Sequence, residues 1–247
     1  MLNTVIHGEP TALPPLLIAH GLFGSARNWG VIAKRLSADR QVICVDMRNH
    51  GTSPWFDTHS YHDLANDLAE VLDGPSDVLG HSMGGKAAMV LALSRPDLVN
   101  RLIVADIAPV GYTHTQMGPI EAMRSVDMSR VERRSDAGEQ LIGLDPGVDT
   151  FLLQSLDLKS KTWRFNLDVL AAEMDKIIGF PDVSGAFTNP TLFLSGAKSN
   201  YVRREDRDLI KGMFPTARFA KIPEAGHWLH AEKPREFQAA VAAFLNG

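Results

Sequence analysis

Short runs of apolar and β-branched residues alternate with segments of helical period along the first 109 residues. PLLIAH (15–20), RQVICVDM (40–47), SDVLG (76–80) and NRLIVADIAP (100–109) read as strands. Between them, NWGVIAKRLSAD (28–39) and SYHDLANDLAEVLDG (60–74) read as helices. In the second, Leu64, Leu68, Val71 and Leu72 share one face, and Ser60 and Asp63 hold capping-box positions. GKAAMVLALSR (85–95) reads as a buried helix closed by Pro96. Strands alternating with helices in this way predict an α/β chain with a mainly parallel sheet and helices on both faces.

After Pro109 the rhythm changes. Residues 110–188 contain no convincing strand but several amphipathic pieces: TFLLQSLDL (150–158), and Leu167, Leu170, Met174, Ile177 and Ile178 at helical spacing. Strand character returns at PTLFLSG (190–196) and ARFAKIP (217–223), and PREFQAAVAAFLNG (234–247) reads as a last helix with Pro234 in its first turn. The expected organisation is a core of residues 1–109 and 189–247, interrupted by a helical cap of residues 110–188. Such a cap would cover the C-terminal ends of the strands, where open α/β sheets bind ligands.

Composition narrows the partners. The chain has 247 residues, 45% hydrophobic and 22% charged, enough to bury a core without disulfides or structural metal. A net charge of −4 disfavours nucleic acid as a partner. The single cysteine, Cys44, lies in an apolar run and reads as a core thiol. The opening MLNTVIHGEP has no signal-peptide pattern, and no run reaches the ~20 apolar residues of a membrane span. A cytoplasmic protein acting on a small molecule, away from membranes, is expected; its oligomeric state is not legible.

The chemistry concentrates in three places. GHSMGG (80–85) matches G-x-S-x-G between a predicted strand and a predicted helix. That context lifts Ser82 clear of the sheet as a nucleophile, with Gly80 and Gly84 permitting the tight turn. HGLFGS (20–25) follows a strand and can aim a backbone N–H at the same point. Leu22 is the expected oxyanion donor beside Met83, with Phe23 the alternative. In AGHWLH (225–230), His227 is the expected base, and His230 is expected to point elsewhere. His81 should diverge from the Ser82 hydroxyl, and His20 should brace its own loop.

HGLFGS, VDMRNHGTS, GHSMGGKA, DIAPV, WRFN and AGHWLHAEKP, in this order, resemble the α/β-hydrolase superfamily. They particularly resemble the YbfF-type bacterial esterases and their eukaryotic relatives, the ABHD-eleven-type hydrolases. The resemblance spans nearly the whole chain. It implies an eight-stranded core sheet, a helical cap and hydrolysis of acyl esters without metal or other cofactor.

It also exposes a gap. In most such enzymes a carboxylate follows the Gly of the PTLFLSG strand, at the positions held here by Ser199 and Asn200. Neither can carry the charge that stabilises an imidazolium, so another acid is expected. Asp106, directly after LIVA on a strand neighbouring the nucleophile strand, is the first choice, supported by the resemblance at DIAPV. Asp168 in WRFNLDVL is the alternative, because that segment is shared with the eukaryotic side of the resemblance. Glu205 and Asp206 lie too far into the next helix.

The expected activity is that of a serine carboxylesterase on short- to medium-chain acyl esters or thioesters. A perhydrolase, a C–C bond hydrolase and a silent binding module are the alternatives. Met117, Met123, Trp163, Phe165, Phe180 and Trp228 are candidates for an acyl-pocket wall, though ordinary packing suits each of them better. Lys86 is expected to be structural, and Arg48 and His50 to brace loops near the site.

Overall fold

The apolar runs of the sequence pair into one twisted sheet. The computed structural model describes residues 1–247. Its strands are β1 (Thr4–His7), β2 (Leu16–Ala19), β3 (Val42–Val45), β4 (Ser76–His81), β5 (Val99–Ala105), β6 (Leu156–Asp157), β7 (Thr162–Trp163), β8 (Thr191–Gly196) and β9 (Arg218–Ile222). Seven of them form the main sheet in the order β1-β3-β2-β4-β5-β8-β9. Only β1 runs antiparallel, against β3.

Seven strands, not eight, is a correction to the expectation. Residues 4–7 supply a single strand at the antiparallel edge. Gly8, at φ +72°, then turns the chain away. Pro10, Pro14 and Pro15 carry it to β2 without an N–H to offer a further strand.

The helices are α1 (Gly30–Leu36), α2 (Tyr61–Val71), α3 (Met83–Ser94), α4 (Met117–Ser125), α5 (Arg134–Gly138), α6 (Val148–Leu153), α7 (Leu167–Ala172), α8 (Met174–Ile178), α9 (Arg207–Met213), α10 (Leu229–Glu232) and α11 (Pro234–Asn246). The capping box of α2 forms: the Ser60 hydroxyl accepts the Asp63 N–H, and Asp63 accepts the Ser60 N–H, both at 3.2 Å.

Alternation along the strands divides the core. Leu17, Ala19, Val78, Leu102 and Val104 face α2 and α3 in one apolar cluster. Leu16, Ile18, Leu79, Ile103 and Ala105 face α1 and α11 in another. The central strands β2, β4 and β8 are buried on both sides, which is why their sequences read as near-continuous apolar runs.

Helices α4 to α8 lie between β5 and β8 and bury a third cluster of their own, joined by Phe23 from the loop after β2. One expectation changes here. TFLLQSLDL is helical only to Leu153, and Leu156–Asp157 then pairs with Thr162–Trp163 as a two-stranded ribbon. Of the proposed wall residues, Met123, Trp163 and Phe165 belong to this buried cluster, with the Trp163 indole N–H donating to the Met123 carbonyl at 2.9 Å. Met117 and Phe180 pack against the cores, and Trp228 alone of the six borders the cavity described below. WRFN is stitched to the loop after β3: Gly51 N–H donates to Arg164 O at 2.8 Å, and Asn166 N–H to Asn49 O at 3.0 Å.

Candidate active site

Ser82 stands between β4 and α3 with φ +53° and ψ −120°, a strained conformation for a residue with a Cβ. The turn is possible because its neighbours are glycines. A Cβ on Gly80 would lie 2.2 Å from Gly84 O, and one on Gly84 would lie 2.4 Å from Ala19 O. The geometry lifts the serine hydroxyl off the sheet at the N-terminus of α3.

The Ser82 hydroxyl donates to His227 Nε2 across 3.1 Å. His227 Nδ1–H donates to Asp106 Oδ2 across 2.8 Å. This pairing fixes the imidazole tautomer that leaves Nε2 free to accept a proton. Asp106 is the first residue beyond β5, adopts φ +51°, and is fully buried.

The position that lacks an acid turns out to serve this one. Ser199 Oγ–H donates to Asp106 Oδ2 at 2.5 Å, and Gly196 N–H donates to Oδ1 at 3.0 Å. A buried carboxylate with three donors is compensated for its loss of water. Asn200 is exposed and makes no side-chain contact with the group. Asp168 is also excluded from it. The Asp168 side chain is 91% exposed and pairs with Arg124 on the surface of the α4–α8 segment.

The two expected oxyanion donors face the same cavity as Ser82 and His227. Met83 opens α3, so its N–H has no acceptor within the helix. Leu22 N–H meets no protein acceptor, whereas the alternative, Phe23 N–H, is already donated to His50 Nε2 at 3.2 Å. That bond removes Phe23 from the candidates and gives His50 a task that sequence alone could not specify.

Buried histidines hold this loop from behind. His20 Nδ1–H donates to Gly21 O at 2.7 Å, and its Nε2 accepts the Met47 N–H at 2.9 Å. His50 Nδ1–H donates to Arg48 O at 2.9 Å. Burial, then the neighbouring His20 and His59, hold His50 well below the usual histidine range, so Nε2 stays an acceptor. Arg48 in turn forks onto Asp67 at 2.6 and 2.8 Å. His81 diverges from Ser82 and donates Nε2–H to the His227 carbonyl at 2.9 Å, tethering the backbone of its neighbour in space.

The cavity holds about 380 Å³. Leu22, Tyr61, Ile107, Phe151, Ile177 and Trp228 make much of its apolar lining. Lys86, one turn after Ser82, also borders it; its side chain is buried, donating to Ile178 O at 2.9 Å and Gly179 O at 2.5 Å. Burial pulls its ammonium down to about 7. Two contributors escaped the sequence altogether. Tyr201 stacks on the His227 ring with centroids 4.0 Å apart, and Tyr112 braces Tyr201 from behind. No motif marks either position.

Comparison with known proteins agrees with this architecture. The alpha/beta hydrolase family model matches residues 16–240. The mouse protein named sn-1-specific diacylglycerol lipase ABHD11 is 40% identical, over 98% of this chain and 83% of its own length. Esterase YbfF of Escherichia coli K12 is 40% identical, over 94% of this chain and 93% of its own. A solved structure described as a marine microorganism esterase superposes with a TM-score of 0.92 at 37% identity, covering 98% of both chains. No helix here is long and apolar enough to cross a membrane. From the fold, the matched family model and these identities, the chain belongs to the alpha/beta hydrolase family and is an enzyme of the hydrolase class.

Proposed function

We propose that this enzyme is a serine carboxylesterase that cleaves short- to medium-chain acyl esters, and acyl thioesters with the same machinery, through an acyl-enzyme. The observation that carries the reading is the continuous path from Asp106 through His227 to Ser82, with links of 2.8 and 3.1 Å, ending at a cavity.

His227 takes the Ser82 proton as Oγ attacks the acyl carbonyl. The Leu22 and Met83 N–H groups receive the charge developing on the carbonyl oxygen, each worth roughly 3 kcal/mol in comparable sites. The new imidazolium is held by Asp106, then gives its proton to the departing alcohol or thiol. Water enters, loses a proton to His227, and releases the acid and Ser82. Asp106, fixed by its three donors, holds the imidazole in one orientation through both stages.

A cavity of about 380 Å³ lies toward the small end of ligand pockets, which run from roughly 300 to 1,000 Å³. That volume favours short acyl chains over long ones. In this reading residues 110–188 act as a cap: α6 contributes Val148 and Phe151, and α8 contributes Ile177 and Ile178, to the cavity wall above Ser82.

The test is kcat/KM across p-nitrophenyl acetate, butyrate, octanoate and palmitate, with butyryl thioester alongside and Ser82→Ala as the blank. Highest values for the shorter esters, and none above blank in the variant, are expected. A wild type no faster than Ser82→Ala would overturn the reading.

A further inference from the structure

The base of a serine hydrolase changes charge during each acyl transfer: neutral at rest, it is a cation when the tetrahedral intermediate forms. The surroundings of the His227 ring are therefore worth examining face by face. Asp106 and Ser82 occupy its two nitrogens. The His81 ring lies beside it, tilted by 40° at 4.9 Å between centroids. Tyr201 stacks more closely on the ring, at 4.0 Å and only 23° from parallel.

Tyr201 is held more firmly than a pocket wall requires. Its N–H donates to Ser199 Oγ at 3.3 Å, the same hydroxyl that serves Asp106. Its carbonyl accepts the Tyr112 hydroxyl at 2.7 Å, and Tyr112 Oη accepts the Ala108 N–H, two residues past Asp106, at 3.0 Å. Its own hydroxyl and His114 Nε2 are 2.8 Å apart. Burial, and then the charge of Asp106, raise the Tyr201 phenol above its ordinary range, so it stays the donor in that pair. Backbone and side chain are thus fixed at both ends to the loop that carries the acid.

We propose that Tyr201 is a positioning residue that stabilises the cationic form of His227: its π face lies against the imidazole, and Ser199, Tyr112 and His114 lock it there. The face of an aromatic ring carries negative potential and attracts a cation within about 6 Å. A neutral imidazole gains little from it and an imidazolium gains more, so the contact strengthens between ground state and transition state. Interactions of that kind raise kcat and leave substrate binding nearly unchanged. A residue that merely lined the cavity would act in the opposite sense, on KM. The assignment rests on the reading of His227 as the base.

The experiment compares wild type, Tyr201→Phe, Tyr201→Trp and Tyr201→Leu on p-nitrophenyl butyrate. Rates are expressed per active site counted with a fluorophosphonate probe, which removes any misfolded fraction. Tyr201→Leu should lose about 10-fold in kcat with KM within about twofold of wild type. Phe and Trp, which keep the face, should stay within about threefold of wild-type kcat. Three results overturn the assignment while leaving the esterase reading intact: an unchanged kcat in Tyr201→Leu, a loss confined to KM, or a Phe variant as slow as Leu. A wild type no faster than Ser82→Ala overturns both.

Discussion

His230 lies parallel to Trp29, with ring centroids 4.3 Å apart, and its buried Nδ1 has no hydrogen-bond partner. Burial, with a smaller contribution from the neighbouring His227, pulls it down to about 3. In the unfolded chain the same side chain titrates at about 6.5. Between those two values the unfolded chain binds a proton that the folded chain refuses. Stability through this residue is therefore complete above the unfolded value and falls as pH falls below it. Integrating that uptake from about pH 7 to pH 5 gives a loss of about 2 kcal/mol. His230→Phe keeps an aromatic ring on Trp29 and removes the titration. His59, also pulled to about 3 by burial and then by Arg48 and His20, titrates in both proteins and cancels in the comparison. Urea unfolding of the two proteins at both pH values measures the difference. The wild type should lose about 2 kcal/mol more than His230→Phe over the interval. Equal losses would refute the linkage and would mean that His230 is charged, or solvated, in the native state.

Asp106→Asn should reduce kcat/KM for p-nitrophenyl butyrate by about three to four orders of magnitude, while Asp168→Asn should stay near wild type; loss in the second variant instead would contradict the surface position of Asp168. Ser199→Ala removes one donor from Asp106 and should cost about 10-fold in kcat/KM, with full activity showing that Gly196 and His227 suffice. His50→Phe takes the acceptor from Phe23 N–H, and should slow turnover more than it weakens binding of a neutral ester, measured as kcat against KM. Gly84→Ala drives a Cβ into the Ala19 carbonyl and should lower Tm by about 5 °C or more in a thermal melt.

Patterns that depend on neighbours in the chain were legible without coordinates. The doubly covered central strands, the capped α2 and the elbow around Ser82 follow from local periodicity and tight-turn residues, because each is decided within a few positions. The weaker readings were those that local pattern underdetermines. Leu156 and Trp163 look like parts of amphipathic helices, and only their pairing makes them strand. The count of eight strands came from the family resemblance and not from the residues, and the seventh strand of the sheet, Thr4–His7, is too short and too exposed to announce itself by apolar content.

Contacts across long stretches of chain were decided by tertiary structure. Asp106 and Asp168 both follow apolar residues in the sequence. Packing β5 beside β4 and β8 brings Asp106, 121 residues from His227, to 2.8 Å. Asp168 is left on the surface with Arg124. Ser199 alone says only that a carboxylate is missing; its hydroxyl becomes part of the acid's shell once β8 lies against β5. Tyr201 and Tyr112 carry no motif, and the motifs that hold His50 and His81 do not name their partners, because hydrogen bonds and ring stacking follow distances in space and chain spacing does not encode them.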